Sequence, residues 1–436
     1  MNVAELRRTI DLTAAGEEMY GLIAELYPIC RSITGDGVRQ TLARLARDIE
    51  LVCHEVPTGT RVFDWTVPRE WNIRDAWVKN AQGERVIDFR RSNLHVLQYS
   101  TPVRRTVGVD ELRQHLHSIP EHPQWIPYRS SYYEDAWGFC IEHERRAQLT
   151  DQAYEVCIDS RLEDGSLTYG ECAIAGGSDD EFLFSTHTCH PSLCNDNLSG
   201  VALAAQLAKQ LAPLELRYSY RFLFIPGTIG SITWLSRNAP RLSRIRHGLV
   251  VACVGDGGAF RYKRSRCGAE IDRASEHVLR HAGADYEVRD FTPYGYDERQ
   301  YCSPGFDLPV GSLTRTPNDC FPEYHTSADD LGFITPRNLS ESLRCYLEVI
   351  DLVESNRRYA STNPKGEPHL GSRGLYRAVG GQPSPERAQM ALLWVLNLSD
   401  GRHSLLDIAE RAQLDFDTVR HAADLLAAHG LLAERE

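Results

Sequence analysis

Two uninterrupted apolar runs constrain this fold most: Phe222-Leu223-Phe224-Ile225, which follows Arg221, and Leu249-Val250-Val251-Ala252-Cys253-Val254. A strand with one wet face alternates polar and apolar residues. A run without alternation suits a strand covered on both faces, as in a largely parallel sheet. A third run, Phe182-Leu183-Phe184, precedes a helical stretch from Leu198 to Leu211, with Val201, Leu203, Ala204, Leu207 and Leu211 on one side. This strand and helix alternation runs from about 166 to 355 and ends in a helix from about 337. It predicts an α/β domain.

The flanking segments have a different texture. Residues 17–50 read as two helices, separated by a turn at Gly35-Asp36-Gly37. From about 61 to 165, short β-like runs such as Val62–Val67 and Leu94–Leu97 alternate with Pro, Gly and Asn turns, and five of the seven tryptophans fall here. This predicts a small β-rich inserted domain over 61–165. Residues 1–60 and 166–360 then form the α/β domain. Residues 361–384 are rich in Gly, Pro, Ser and Asn and read as a linker. In 385–436, three helical stretches follow, Met390–Leu396, Ser404–Ala409 and Asp417–His429.

The net charge of −12 argues against general attraction to nucleic acid or anionic lipid. No apolar run reaches membrane-spanning length, and Met1 to Gly16 lacks the pattern of a secretory signal. The expected location is therefore the cytoplasm, with no membrane partner. Twelve scattered cysteines form no Cys-x-x-Cys pair and read as reduced, mostly buried thiols.

The chemistry is concentrated in His187-Thr188-Cys189-His190-Pro191 and Asn195-Asp196-Asn197-Leu198-Ser199-Gly200, between an apolar strand and a helix. Ligands of open α/β sheets bind beyond the carboxyl ends of the strands. Imidazole and carboxylate are the usual ligands of catalytic zinc. Asp256 follows the Leu249–Val254 run, and His325 precedes the last helix of the domain, so both fall at matching places. Taken alone, each of these residues fits a cap or a surface turn equally well; Asp196 could simply be an N-cap. The group of four together favours a metal site.

The series His187, Asp196, Asp256 and His325, with its Asp-Asn-x-Ser-Gly and Tyr-His-Thr motifs, resembles the zinc-dependent aminopeptidase family. It is more similar still to the aminopeptidase-like proteins found beside bacterial polysaccharide-biosynthesis genes, and the resemblance covers nearly the whole chain. It implies a mixed sheet flanked by helices, the inserted domain, and a winged-helix-like domain over 385–436. It also implies roles: His187 and His325 as metal-binding histidines, Asp196 as the metal-bridging aspartate, and Asp256 as a further ligand. His190 has no counterpart in the general pattern and stands close enough to add to His187 or replace it.

The resemblance breaks after the strand at 221–225. Typical members carry two adjacent glutamates there, a general base and a ligand of the second metal. This chain has Pro226-Gly227-Thr228. Gly227 thus marks the position of a missing base, whose contribution is typically about 10²–10⁴ in rate. Loss of the second glutamate points to one zinc rather than two. Glu298 and Glu323, with Asp297 beside them, are candidate replacements.

Arg129 and Arg31 could hold a substrate carboxylate, with Tyr132 and Tyr324 as pocket walls. Ser199 lacks a nucleophile's setting and reads as a helix cap. A Cys189–His190 pair is disfavoured because adjacent residues of a strand point to opposite sides. Nine acidic against five basic residues in 385–436 favour a protein contact or self-association over DNA binding. The expected function is zinc-dependent cleavage of an amide bond in a small peptide or aminoacyl substrate, in a biosynthetic setting. The alternative is a catalytically impaired binding or scaffold protein.

Overall fold

The computed structural model describes residues 1–318, 320–375 and 385–435. Its backbone contacts divide the chain into two units: Met1–Asp272 with Ala284–Arg344, and Arg273–Gly283 with Cys345–Glu436.

The first unit is built on an eight-stranded mixed sheet. Its spatial order is Val52–Pro57, Ser166–Ile174, Ser219–Ile225, Glu181–His187, Ile245–Val251, Val310–Thr314, Phe260–Lys263, Tyr286–Arg289. The four central strands are parallel, and the register sets His187 opposite Ile225. Glu181–His187 is buried at every position, as its apolar run requires. Phe182 and Phe184 stack at 4.6 Å, and Phe184 stacks on Phe222 at 5.0 Å. All three are fully buried, and each such side chain contributes about 1.5–3 kcal/mol. The helix Gly200–Leu211 lies almost wholly inside this core.

A second sheet, of four antiparallel strands, occupies the segment that reads as an insertion. Its order is Arg85–Asp88, Glu70–Lys79, Ala153–Glu163, Val103–Gly108. Its Trp71 is buried, and the indole N–H donates to the Ser100 carbonyl at 2.9 Å. This segment falls within the first compact unit rather than forming a unit of its own.

In the second unit, helices Pro385–Leu398, Leu405–Ala412 and Phe416–Ala428 accompany a three-stranded sheet ordered Asp400–Ser404, Arg358–Ser361, Leu432–Arg435. The strand Arg358–Ser361 pairs with both tail strands. The unit therefore begins well before residue 385. Of the expected linker, 376–384 lie outside the described residues. All twelve cysteines are free, eight of them buried. Among the described residues, no helix is long and apolar enough to cross a membrane.

Candidate metal centre

The carboxyl ends of the parallel strands converge on one point. His187 is the last residue of its strand, and Asp196 lies in a non-helical kink just before the helix Gly200–Leu211. His187 Nε2 is 2.8 Å from Asp196 Oδ1. His190 Nδ1 is 3.2 Å and His325 Nε2 3.0 Å from Asp196 Oδ2. Three imidazoles from two separate loops thus surround one fully buried carboxylate. Burial opposes the Asp196 charge, but His190 and the other two imidazoles override it and hold its carboxyl well below the usual range. Burial likewise opposes charge on His190, but the Asp196 carboxylate, with the Cys189 thiol, draws its pKa well above the ordinary value.

The polar accounting fits a metal. Asp196 Oδ2 and His325 Nε2 are buried and have no hydrogen bond of acceptable geometry, despite their 3.0 Å separation. Buried polar atoms are almost always satisfied. Two lone pairs facing each other without a proton between them are what a cation would resolve. The ligand atoms of His187, His190 and Asp196 all lie within 4.8 Å of one another, and a nitrogen and carboxylate set suits zinc.

The surroundings fix these groups. Asp329 is fully buried and accepts the backbone N–H of Asn195 at 2.6 Å and of Asp196 at 2.9 Å. Burial pushes its pKa up to about 7. The ring of Tyr324 stacks on His325 at 3.9 Å, and Tyr128 meets His325 edge-on at 5.0 Å. His325 and Thr228 both hold φ in the left-handed region, at 55° and 58°. That conformation is uncommon for any side chain and strained for the β-branched Thr228, a cost that clusters at functional sites.

A cavity of about 590 Å³ opens onto the centre. His187, His190, His325, Gly227, Tyr132 and Tyr324 line it, together with Asp297 and Arg299. Gly227 has its backbone N–H on Cys189 Sγ at 3.3 Å. A Cβ added there would sit 3.4 Å from Cys189 Sγ and 3.4 Å from His187 Cβ, ordinary contact distances.

Several expected residues lie elsewhere. Asp256 is not in the convergent group. Its carboxylate is taken up by Asn195 Nδ2 at 2.9 Å, Gly258 N at 2.6 Å and the Thr316 hydroxyl at 2.7 Å. Arg31 does not reach the cavity. It is buried, donating to the His190 carbonyl at 2.9 Å and the Leu26 carbonyl at 2.6 Å, so it supports the ligand loop from behind. Arg129 is exposed and does not line the cavity. Glu298 is buried against Lys263 at 2.6 Å, and neither it nor Glu323 lines the cavity.

Cys189 and His190 both line the cavity, against the expectation that they point apart. The strand ends at His187, so its alternation does not extend to them. Ser199 stands at the N-cap of the helix Gly200–Leu211, but its side chain makes no cap bond: its hydroxyl donates to the Asn195 carbonyl and accepts Val254 N–H. Two supporting residues escape the sequence reading. Asp329 is one residue of an unremarkable Asp-Asp pair. Asp297, a candidate base by sequence, also accepts Thr228 N–H at 3.1 Å and the Ser231 hydroxyl at 2.9 Å, holding the strained turn.

Comparison with known proteins shows the family and the fold. Residues 20–356 match the family model described as a domain of unknown function, DUF4910, and residues 357–434 match a winged helix-turn-helix model. The chain is 55% identical over 414 residues to a protein of Clostridium acetobutylicum described as a proposed polysaccharide biosynthesis protein with an aminopeptidase-like domain; the match covers 94% of this chain and 95% of that protein. A crystal structure of a proposed peptidase from the same organism superposes with a TM-score of 0.95 at 52% identity, covering 100% of both chains. A zinc aminopeptidase of Bacillus subtilis shares the fold, with a TM-score of 0.57 at 11% identity over 78% of this chain and 95% of that one. The chain belongs to the DUF4910 family, in which it combines a zinc-aminopeptidase-like α/β fold with a C-terminal winged helix-turn-helix domain.

Proposed function

We propose that this chain is a zinc-dependent hydrolase of an amide bond in a small aminoacyl or peptidyl substrate, with one zinc held by His187, Asp196 and His325 and with His190 as an added ligand. The observation that carries this reading is the unsatisfied pair Asp196 Oδ2 and His325 Nε2 inside a ring of three imidazoles. Zinc bound there supplies a Lewis acid that polarises a carbonyl and acidifies water to a pKa of about 7.

The protein's own groups do the rest. Asp329 fixes the backbone that presents Asp196. Asp256 orients Asn195 rather than serving as a ligand. Tyr324 and Tyr128 set the ring of His325. Asp297 lines the cavity, and its Oδ1 accepts Thr228 N–H and the Ser231 hydroxyl, which holds the turn beside Gly227. No carboxylate stands at Gly227, so hydrolysis in this chain is slow. The description of the 55%-identical relative supports a biosynthetic role.

Zinc content and amidase turnover, measured with and without Gly227→Glu, test the reading. The cavity accepts a Cβ at 227 without backbone strain. We expect the variant to fold, keep its zinc and hydrolyse amides faster by about 10²–10⁴. A zinc-loaded variant with no gain would favour a binding or scaffold role instead. The tail, with its acidic excess, we assign to protein contact rather than DNA binding. Duplex DNA retarded by the full chain at modest salt would refute that.

A further inference from the structure

One guanidinium of the cavity wall has no ion-pair partner. Arg299 lines the wall beside Gly227 and Thr228. Its Nη2 donates to Thr228 Oγ1 at 3.3 Å, a long bond to a neutral partner. Its Nε is buried and has no partner. Among the described residues, no carboxylate oxygen lies within 4.0 Å of it.

The neighbouring charges are already assigned. Lys263 is paired with Glu298 at 2.6 Å. Asp297 also lines the cavity and is close enough for the guanidinium to act on its charge, but it forms no ion pair with Arg299, and its Oδ1 accepts Thr228 N–H and the Ser231 hydroxyl. Gly227 and Thr228 offer no carboxylate. Outside the metal ligands, the wall of the cavity therefore presents one guanidinium without an ion-pair partner, beside the Asp297 carboxylate, whose Oδ1 is hydrogen-bonded to its own loop. An anion finds a planar guanidinium on this wall.

We propose that Arg299 binds a carboxylate of the substrate, and that the site takes amide-bearing molecules with a free carboxylate near the amide, such as N-acyl amino acids or the C-terminal residue of a short peptide. The inference rests on reading the cavity as a substrate site, but not on turnover. A single guanidinium matches the two oxygens of a carboxylate. A phosphate dianion would call for further cations, and the wall has none. The rings of Trp65, Tyr132 and Tyr133, which also line the cavity, give the remainder of the molecule an apolar bed.

Titration calorimetry of the full-length protein tests this with N-acetyl-phenylalanine and its primary amide. The two differ only in the charged group, and an inert enzyme still gives an answer. The acid should bind about tenfold or more tightly than the amide. Arg299→Met should bring the acid down to the level of the amide and leave amide binding unchanged, which also shows that the variant is folded. Arg299→Lys should fall between. Equal binding of acid and amide, or acid binding untouched in Arg299→Met, would overturn the proposal. Phenyl phosphate binding more tightly than the acid, and losing that advantage in Arg299→Met, would overturn the assignment to a carboxylate.

Discussion

Asp329→Ala separates the stability of the fold from the positioning of the metal ligands. The wild-type carboxylate accepts two buried backbone N–H groups, from Asn195 at 2.6 Å and Asp196 at 2.9 Å. Removing it leaves both donors unpaired, at about 1–3 kcal/mol each, or about 2–6 kcal/mol together. The opposing term is the burial of Asp329 itself. A carboxyl pushed from 3.8 up to about 7 carries a penalty of about 4 kcal/mol in its ionised form, and alanine removes it. The two terms are of similar size, so the net change in stability at pH 7 should stay within about 2 kcal/mol in either direction. Nothing compensates the loop, because Asp196 loses the anchor of its own backbone. Loss of such a supporting group typically costs about 10–100-fold in metal affinity. Urea denaturation of the metal-free protein and zinc titration against a competing chelator measure the two effects separately. A folded Asp329→Ala protein with unchanged zinc affinity would refute the argument that this backbone positions the ligand.

Two further outcomes concern other parts of the molecule. His277, in the second unit, is 2% exposed, and neither ring nitrogen has a hydrogen bond. Burial, with the nearby His281 and Arg280 charges, holds it down at about 4. The unfolded chain takes up this proton near pH 6.5 and the folded chain near 4. The stability it supports is therefore present above pH 6.5 and is lost as the pH falls toward 4, by at most about 3 kcal/mol. His247, buried and held near 4 in the same way, gives a similar slope. His277→Leu should therefore reduce the acid sensitivity seen in denaturation midpoints between pH 7 and 4.5, and an unchanged slope would exclude this role. For the cavity, Tyr324→Ala removes the ring stacked on His325. It should weaken zinc binding by less than Asp329→Ala does, because it leaves every ligand atom and its backbone in place.

The parts of the fold legible in the sequence are those set by short-range pattern. The unbroken apolar runs at 222–225 and 249–254 place buried parallel strands, and the carboxyl ends of such strands place the site. His187 and Asp196 were readable because the strand-to-helix junction between them is local. His325 was readable only through the motif around it, since 129 residues of chain separate it from Asp196. Asp256 shows the limit. Position after a strand is shared by ligands and by groups that tie one loop to another, and the hydrogen bonds from Asn195, Gly258 and Thr316 decide between them. Arg31 and Arg129 show the same limit for cations. Arg31 turns inward to backbone carbonyls, Arg129 turns out to solvent, and the residue that does face the cavity is Arg299. Cys189 and His190 stand just past a strand end, where alternation no longer governs direction.

The central claim is a zinc centre organised by Asp196, and metal analysis of purified protein tests it most directly. Elemental analysis after dialysis against trace zinc should find one zinc per chain in the wild type. Asp196→Asn should have little or none, with its fold intact by circular dichroism. A wild-type protein that retains no zinc, or an Asp196→Asn protein that retains as much as the wild type, would contradict the account.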